Sequence, residues 1–145
     1  NKLDALSRGS IIYGNASAAT TVLTKGGAAT VLTSDGTDIS WSAATGGTSW
    51  QAVVTGATQT AVAGNGYFIN TTSNVCTLTL PAGTLGDEVS VIDYAGTFDT
   101  NTLTITANGS EKIHSSTDDL TATIERAAFT LVFTDSTQGW LLKNK

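Results

Sequence analysis

A chain of 145 residues is long enough for one domain, or for one domain with an extension. Only 13% of it is charged, against roughly 25% in an ordinary globular domain. The net charge is −5 and no basic cluster exists, which argues against binding to nucleic acid or to an anionic membrane surface. Thr is the commonest residue, with Ser, Ala, Gly and Asn filling much of the remainder, a composition of extended structure with small side chains rather than of a helical enzyme. No apolar run approaches the roughly 20 residues of a membrane-spanning helix, so no membrane insertion is expected. Methionine is absent, so the chain reads as a fragment of a longer protein, and the lack of a visible signal peptide carries no information. The single cysteine, Cys76, excludes an intrachain disulfide and reads as a small buried hydrophobe.

Residues 1–47 carry their apolar side chains in twos and threes: Ile11-Ile12-Tyr13, Val22-Leu23, Val31-Leu32, and Ile39 with Trp41. Gly9-Ser10, Lys25-Gly26-Gly27 and Asp35-Gly36-Thr37-Asp38 separate them. The runs predict strands too short to bury a face within one chain, yet too regular for a flexible linker. The expectation is an extended stalk in which other copies supply the missing neighbours, three chains intertwining about an axis. A disordered Gly/Thr linker is the alternative. Residues 42–49 offer nothing to pack and form the expected neck.

A second pattern starts at Trp50, with strands expected near 58–62, 66–70, 75–80, 88–94, 102–106, 120–124, 128–134 and 139–143. Within it, Leu78 and Leu80 share one face of a strand and Thr77 and Thr79 the other, and Val89 and Val91 repeat the alternation. Period-two patterning between turn residues predicts half-buried antiparallel strands. Pro81 ends its strand for want of an N–H, and Gly86-Asp87 reads as a turn between two strands. A turn or two of helix would fit 118–128, but Thr121, Thr123 and Ile124 favour a strand. Phe129, Leu131 and Phe133 predict a central core strand, with Trp140 and Leu142, or Leu141, beside it. Turn signals about every 8–12 residues predict an all-β protein: a β-sandwich-like head over 48–145, preceded by the stalk.

Residues 66–140 resemble a β module found at the distal ends of tail fibres and related appendages of tailed bacteriophages. The matching residues are Gly66-Tyr67-Phe68-Ile69-Asn70, Leu78-Thr79-Leu80-Pro81, Gly86-Asp87, Val91-Ile92-Asp93-Tyr94-Ala95-Gly96-Thr97-Phe98, Asn101-Thr102-Leu103-Thr104-Ile105, Asn108-Gly109-Ser110 and Gly139-Trp140. Gly9-Ser10-Ile11-Ile12-Tyr13-Gly14, and residues 29–36 with Trp41, are similar to repeats that precede such modules. The resemblance implies a homotrimer on the virion, bound to other virion proteins through a preceding part. The expected function is attachment to a glycan or protein of the host cell surface. The alternatives are a purely structural decoration, joint or trimerisation cap, and a polysaccharide-active enzyme. The family has no settled catalytic motif, so no active-site residue carries over.

The residues themselves point to no enzyme. His114 has Ser115, Ser116 and Asp118 close in sequence, but there is no Gly-x-Ser-x-Gly elbow. Asp87-Glu88 and Asp118-Asp119 are paired carboxylates, yet adjacent residues of a strand point to opposite faces, so neither pair alone flanks a glycosidic bond. Neither cofactor nor metal is expected: no calcium loop is present among the acidic residues, although three copies of His114 on an axis would suit a transition metal. The glycosylation-like triplets at Asn15, Asn70 and Asn108 are what chance supplies in such a composition. The best binding candidate is the segment 94–101, where Tyr94 and Phe98 can stack on sugar rings and Asp99 and Asn101 can bond hydroxyls. The competing reading has both aromatics plugging the core. Segment 108–119 is less patterned, and Glu111, Lys112, His114 and Ser115 are the candidates there for host-specific contacts.

Overall fold

Short apolar pairs flanked by turn residues fold back on their own chain before Gly47. In the computed structural model, which describes residues 6–44 and 46–144, β1 (Ile11–Gly14) pairs antiparallel with β2 (Thr20–Leu23), and β3 (Thr30–Ser34) with β4 (Ile39–Ala43). Residues 1–5 of the expected stalk and position 45 of the expected neck lie outside the described residues. The turns are closed by side chains: Asn15 Oδ1 accepts from the N–H groups of Ser17 and Ala19, and Asp35 Oδ1 from those of Thr37 and Asp38. Trp41 Nε1 donates to the Thr24 carbonyl at 2.7 Å. Each strand thus finds one neighbour within its own chain, where the sequence suggested other copies. No described residue in this part is fully buried, so the hairpins have no core of their own. The chain divides into two compact units, Asn1–Gly46 and Gly47–Lys145.

The second unit contains β5 (Ser49–Trp50), β6 (Thr58–Thr60), β7 (Asn65–Ile69), β8 (Cys76–Thr79), β9 (Glu88–Asp93), β10 (Leu103–Thr106), β11 (Leu120–Ala122), β12 (Ala128–Phe133) and β13 (Trp140–Asn144). The protein is all-β, with no helix among the described residues, and 118–128 supplies strand β11 and a loop. One sheet has five strands in the order β13-β12-β9-β7-β5, and the other has four in the order β11-β10-β8-β6. From β5 to β10 every successive strand changes sheet. The pairs β5/β7, β7/β9, β6/β8 and β8/β10 are therefore parallel, which corrects the antiparallel pairing expected for this stretch. The alternation of Leu and Thr reports which face is buried, not where the next strand goes. Here each strand exits across the core into the opposite sheet, so the chain re-enters the first sheet in the same direction. Antiparallel strands β11, β12 and β13 close the winding.

Inward side chains of both sheets make one core. Cys76, Leu78, Leu103 and Ile105 come from the four-stranded sheet, and Tyr67, Ile69, Val89, Val91, Leu131 and Trp140 from the other. Burial pushes the Cys76 thiol up, which keeps it protonated and inert. Phe133 meets Trp140 edge to face at 5.5 Å, and in the ladder Phe133 stands opposite Trp140 and Leu131 opposite Leu142, the partners the alternation suggested. The outer face of the four-stranded sheet carries threonine in register. Thr58, Thr77, Thr104 and Thr121 form one row, and Thr60, Thr79 and Thr106 another. On the outer face of the other sheet, Trp50 stacks on Phe68 with ring centroids 4.7 Å apart.

Two surface carboxylates close turns. The N–H groups of Asp38 and Thr37 hold the Asp35 carboxyl below its ordinary value of 3.8, and those of Gln138 and Thr137 do the same for Asp135. A depressed folded-state value means that each contributes stability above its ordinary value and loses it as pH falls through the lower folded one. Acid titration followed by amide NMR is expected to move the Thr37, Asp38, Thr137 and Gln138 resonances with midpoints below 3.8. Midpoints at or above that value would mean that the turns do not engage the carboxylates in solution.

Candidate binding surface at the Tyr94 end

Strand direction sorts the loops of the second unit into two ends. Loops leaving β7 and β9, together with the β11–β12 connection, gather at one end: 70–75, 94–102 and 123–127. Loops leaving β8 and β10, together with the β12–β13 connection, gather at the other: 80–87, 107–119 and 134–139. Gly47, where the unit begins, lines a shallow groove with Gly64, Gly86 and Asp87, and so lies at this second end. The eight candidate residues therefore do not form one site. Tyr94, Phe98, Asp99 and Asn101 sit at the far end from Gly47, while Glu111, Lys112, His114 and Ser115 sit at the near end.

Asp93 organises the far end. It is 2% exposed, and its carboxylate accepts four backbone N–H groups. Oδ1 takes Gly96 at 2.9 Å and Thr97 at 3.2 Å, and Oδ2 takes Phe98 at 3.2 Å and Arg126 at 3.0 Å. Two loops distant in sequence are thereby pinned to one buried group. The Thr71 and Thr97 hydroxyls bond at 2.8 Å, and Asn101 Nδ2 donates to the Thr71 carbonyl at 2.8 Å, which ties in the 70–75 loop as well. On this frame the two aromatics part company. Tyr94 is 52% exposed, whereas Phe98 is fully buried, so Phe98 is a core plug and not a ligand contact. Asp99 is exposed, while Asn101 is half-buried and spends its amide on the frame.

Arg126 belongs to this surface and was not singled out from sequence. Its Nη1 donates to the Tyr94 carbonyl at 3.1 Å. Its guanidinium lies along Gly96, where an added Cβ would stand 2.6 Å from Nε. Gly96 has φ +71°, so the position needs glycine both for its backbone and for the room it leaves to the arginine. The available signal was Asp93 at a strand end followed by Gly96, a turn whose carboxylate seeks N–H partners; nothing in the sequence names the loop that supplies the fourth. Beyond Arg126, residues Leu120, Ala122, Ile124, Ala127, Phe129 and Leu142 line an open apolar groove of about 350 Å³.

At the near end, Glu111 is a brace. Its Oε1 accepts from the Gly83 N–H at 3.0 Å and its Oε2 from the Trp140 indole N–H at 3.3 Å. Lys112 gives its carbonyl to the Trp140 N–H. His114 and Ser115 are exposed and form the tip of a tight hairpin closed by reciprocal bonds between Ile113 and Ser116. Both have positive φ, 52° and 64°, the signs of a type I′ turn usually built from Asn and Gly. Three of the four paired carboxylates have structural partners: Asp87 accepts from the Thr84 N–H, Glu88 pairs with Lys143 at 2.7 Å, and Asp118 accepts from the Ser116 hydroxyl. Among the described residues, no three metal-ligating side chains come together. No protein-family model matches this chain, and no curated protein matches it.

Proposed function

We propose that this chain is part of a tailed-bacteriophage virion appendage, a homotrimeric fibre-like protein whose head attaches to a surface glycan of the host bacterium. The observation that carries this reading is the position of Tyr94. It stands exposed at the end of the second unit opposite Gly47, on a loop fixed from beneath by buried Asp93. An exposed aromatic ring on a backbone ordered in advance is what sugar stacking uses. Trimer formation is supported by the first unit, whose hairpins carry half-buried Ile11, Tyr13, Val22, Leu23 and Trp41 but no buried residue. Three weak sites on one trimer, and several trimers on one particle, multiply affinity without a deep pocket.

Incubating the purified chain with a panel of bacterial strains is expected to give retention on some strains only. Tyr94→Ala is expected to lower that retention at least about tenfold with little change in melting, since the side chain is exposed. Light scattering is expected to give three times the chain mass. Retention on no strain, or retention indifferent to Tyr94, would defeat the adhesin reading, and a monomer would defeat the trimer.

A further inference from the structure

We infer that the Tyr94 surface takes an acidic saccharide, one whose sugar ring lies on Tyr94 and whose carboxylate pairs with Arg126. This rests on the glycan-binding reading above and names its ligand class. Three observations carry it. First, Arg126 is a positioned cation: its backbone N–H is bound by Asp93, its Nη1 by the Tyr94 carbonyl, and its stem packs on Gly96. Most surface arginines are spared such restraint, and the ordering is already in place before a ligand arrives. Second, the guanidinium has no carboxylate partner. It forms no ion pair with any described carboxylate, and the bond to Asp93 is made by the Arg126 backbone N–H rather than by the side chain. Third, the guanidinium and the exposed ring are tied to the same residue, because the Tyr94 carbonyl is the anchor of Nη1.

A guanidinium fork has more N–H donors than the one bond to Tyr94 uses, and its planar geometry matches a carboxylate. In a chain of net charge −5, with Asp99 and Glu125 exposed at the same end, a cation fixed at the surface and held in no ion pair selects an anion at close range rather than by a general field. Uronic-acid units combine the two features, an apolar ring face and a carboxylate. Neutral sugars leave the arginine unanswered.

The test uses the full chain with two probes, a uronic-acid oligosaccharide and its carboxyl-reduced counterpart of the same length, measured by calorimetry. The acidic probe is expected to bind at least about tenfold more tightly, with the difference shrinking as salt rises. Arg126→Gln is expected to erase the preference with only a small change in the melting midpoint, because the exposed side chain gives up one bond to Tyr94 while the bond to Asp93 comes from the backbone. Arg126→Lys is expected to keep only part of it. Equal affinity for the two probes, absence of binding to the acidic one, or a preference that survives Arg126→Gln each overturns the inference. If Tyr94→Ala abolishes retention on cells while Arg126→Gln does not, the adhesin reading stands and the acidic ligand falls. If the acidic probe binds through Arg126 but no strain retains the chain, the ligand class stands and the attachment reading falls.

Discussion

Asp93→Asn is expected to destabilise the second unit by about 3–5 kcal/mol, seen as a fall of roughly 12–30 °C in its melting midpoint. Both carboxylate oxygens receive two N–H groups each. An amide keeps one oxygen and turns an NH2 toward the other pair of donors, so rotation about the side chain cannot rescue it. The site is 2% exposed, and water cannot take over the orphaned groups without opening the loop. The loop carrying Tyr94 and the loop carrying Arg126 lose their common anchor together. A midpoint unchanged within a few degrees would mean that this buried carboxylate is not what holds the far end.

Gly139→Ala is expected to be comparably severe, at about 3–4 kcal/mol in a denaturant titration. Gly139 is buried with φ +71°, and an added Cβ would fall on the carbonyl of Lys112. That carbonyl accepts the Trp140 N–H, and the preceding residue, Glu111, accepts the indole N–H. Pushing it away therefore loosens Trp140, which is fully buried in the core. Gly139→Asn separates the two causes, since Asn tolerates positive φ but carries the same Cβ. If Asn is accepted where Ala is not, the backbone angle decides and the steric contact does not.

Much of this architecture is legible in the residues. The runs around Tyr67, Leu78, Val91, Ile105 and Leu131 are strands with the expected faces inward, because alternation of apolar and polar side chains is a local consequence of burial. Strand direction is not local. Gly86-Asp87 does mark a turn before β9, but β9 then lies parallel to β7, and only the crossing of the core decides that. The candidate site divides in the same way. Tyr94 and Phe98 look alike in sequence, and what separates them is that the N–H of Phe98 reaches back to Asp93 and carries its ring inward. Glu111 looked like a host contact, but a partner far along the chain, Trp140, makes it a brace. Arg126 is reached by no local pattern, because its meaning comes from a glycine and a carbonyl in another loop.

The crossing of the chain between sheets at every step from β5 to β10 also governs how the protein is made. Neither sheet can grow by adding the next strand to emerge; each must wait for the strand after it. Trp140, among the last described residues, completes the core, so early segments leave the ribosome with their apolar faces unclaimed. Such long-range pairing slows the search for the native state, because each parallel pair closes only after the intervening strand has crossed the core.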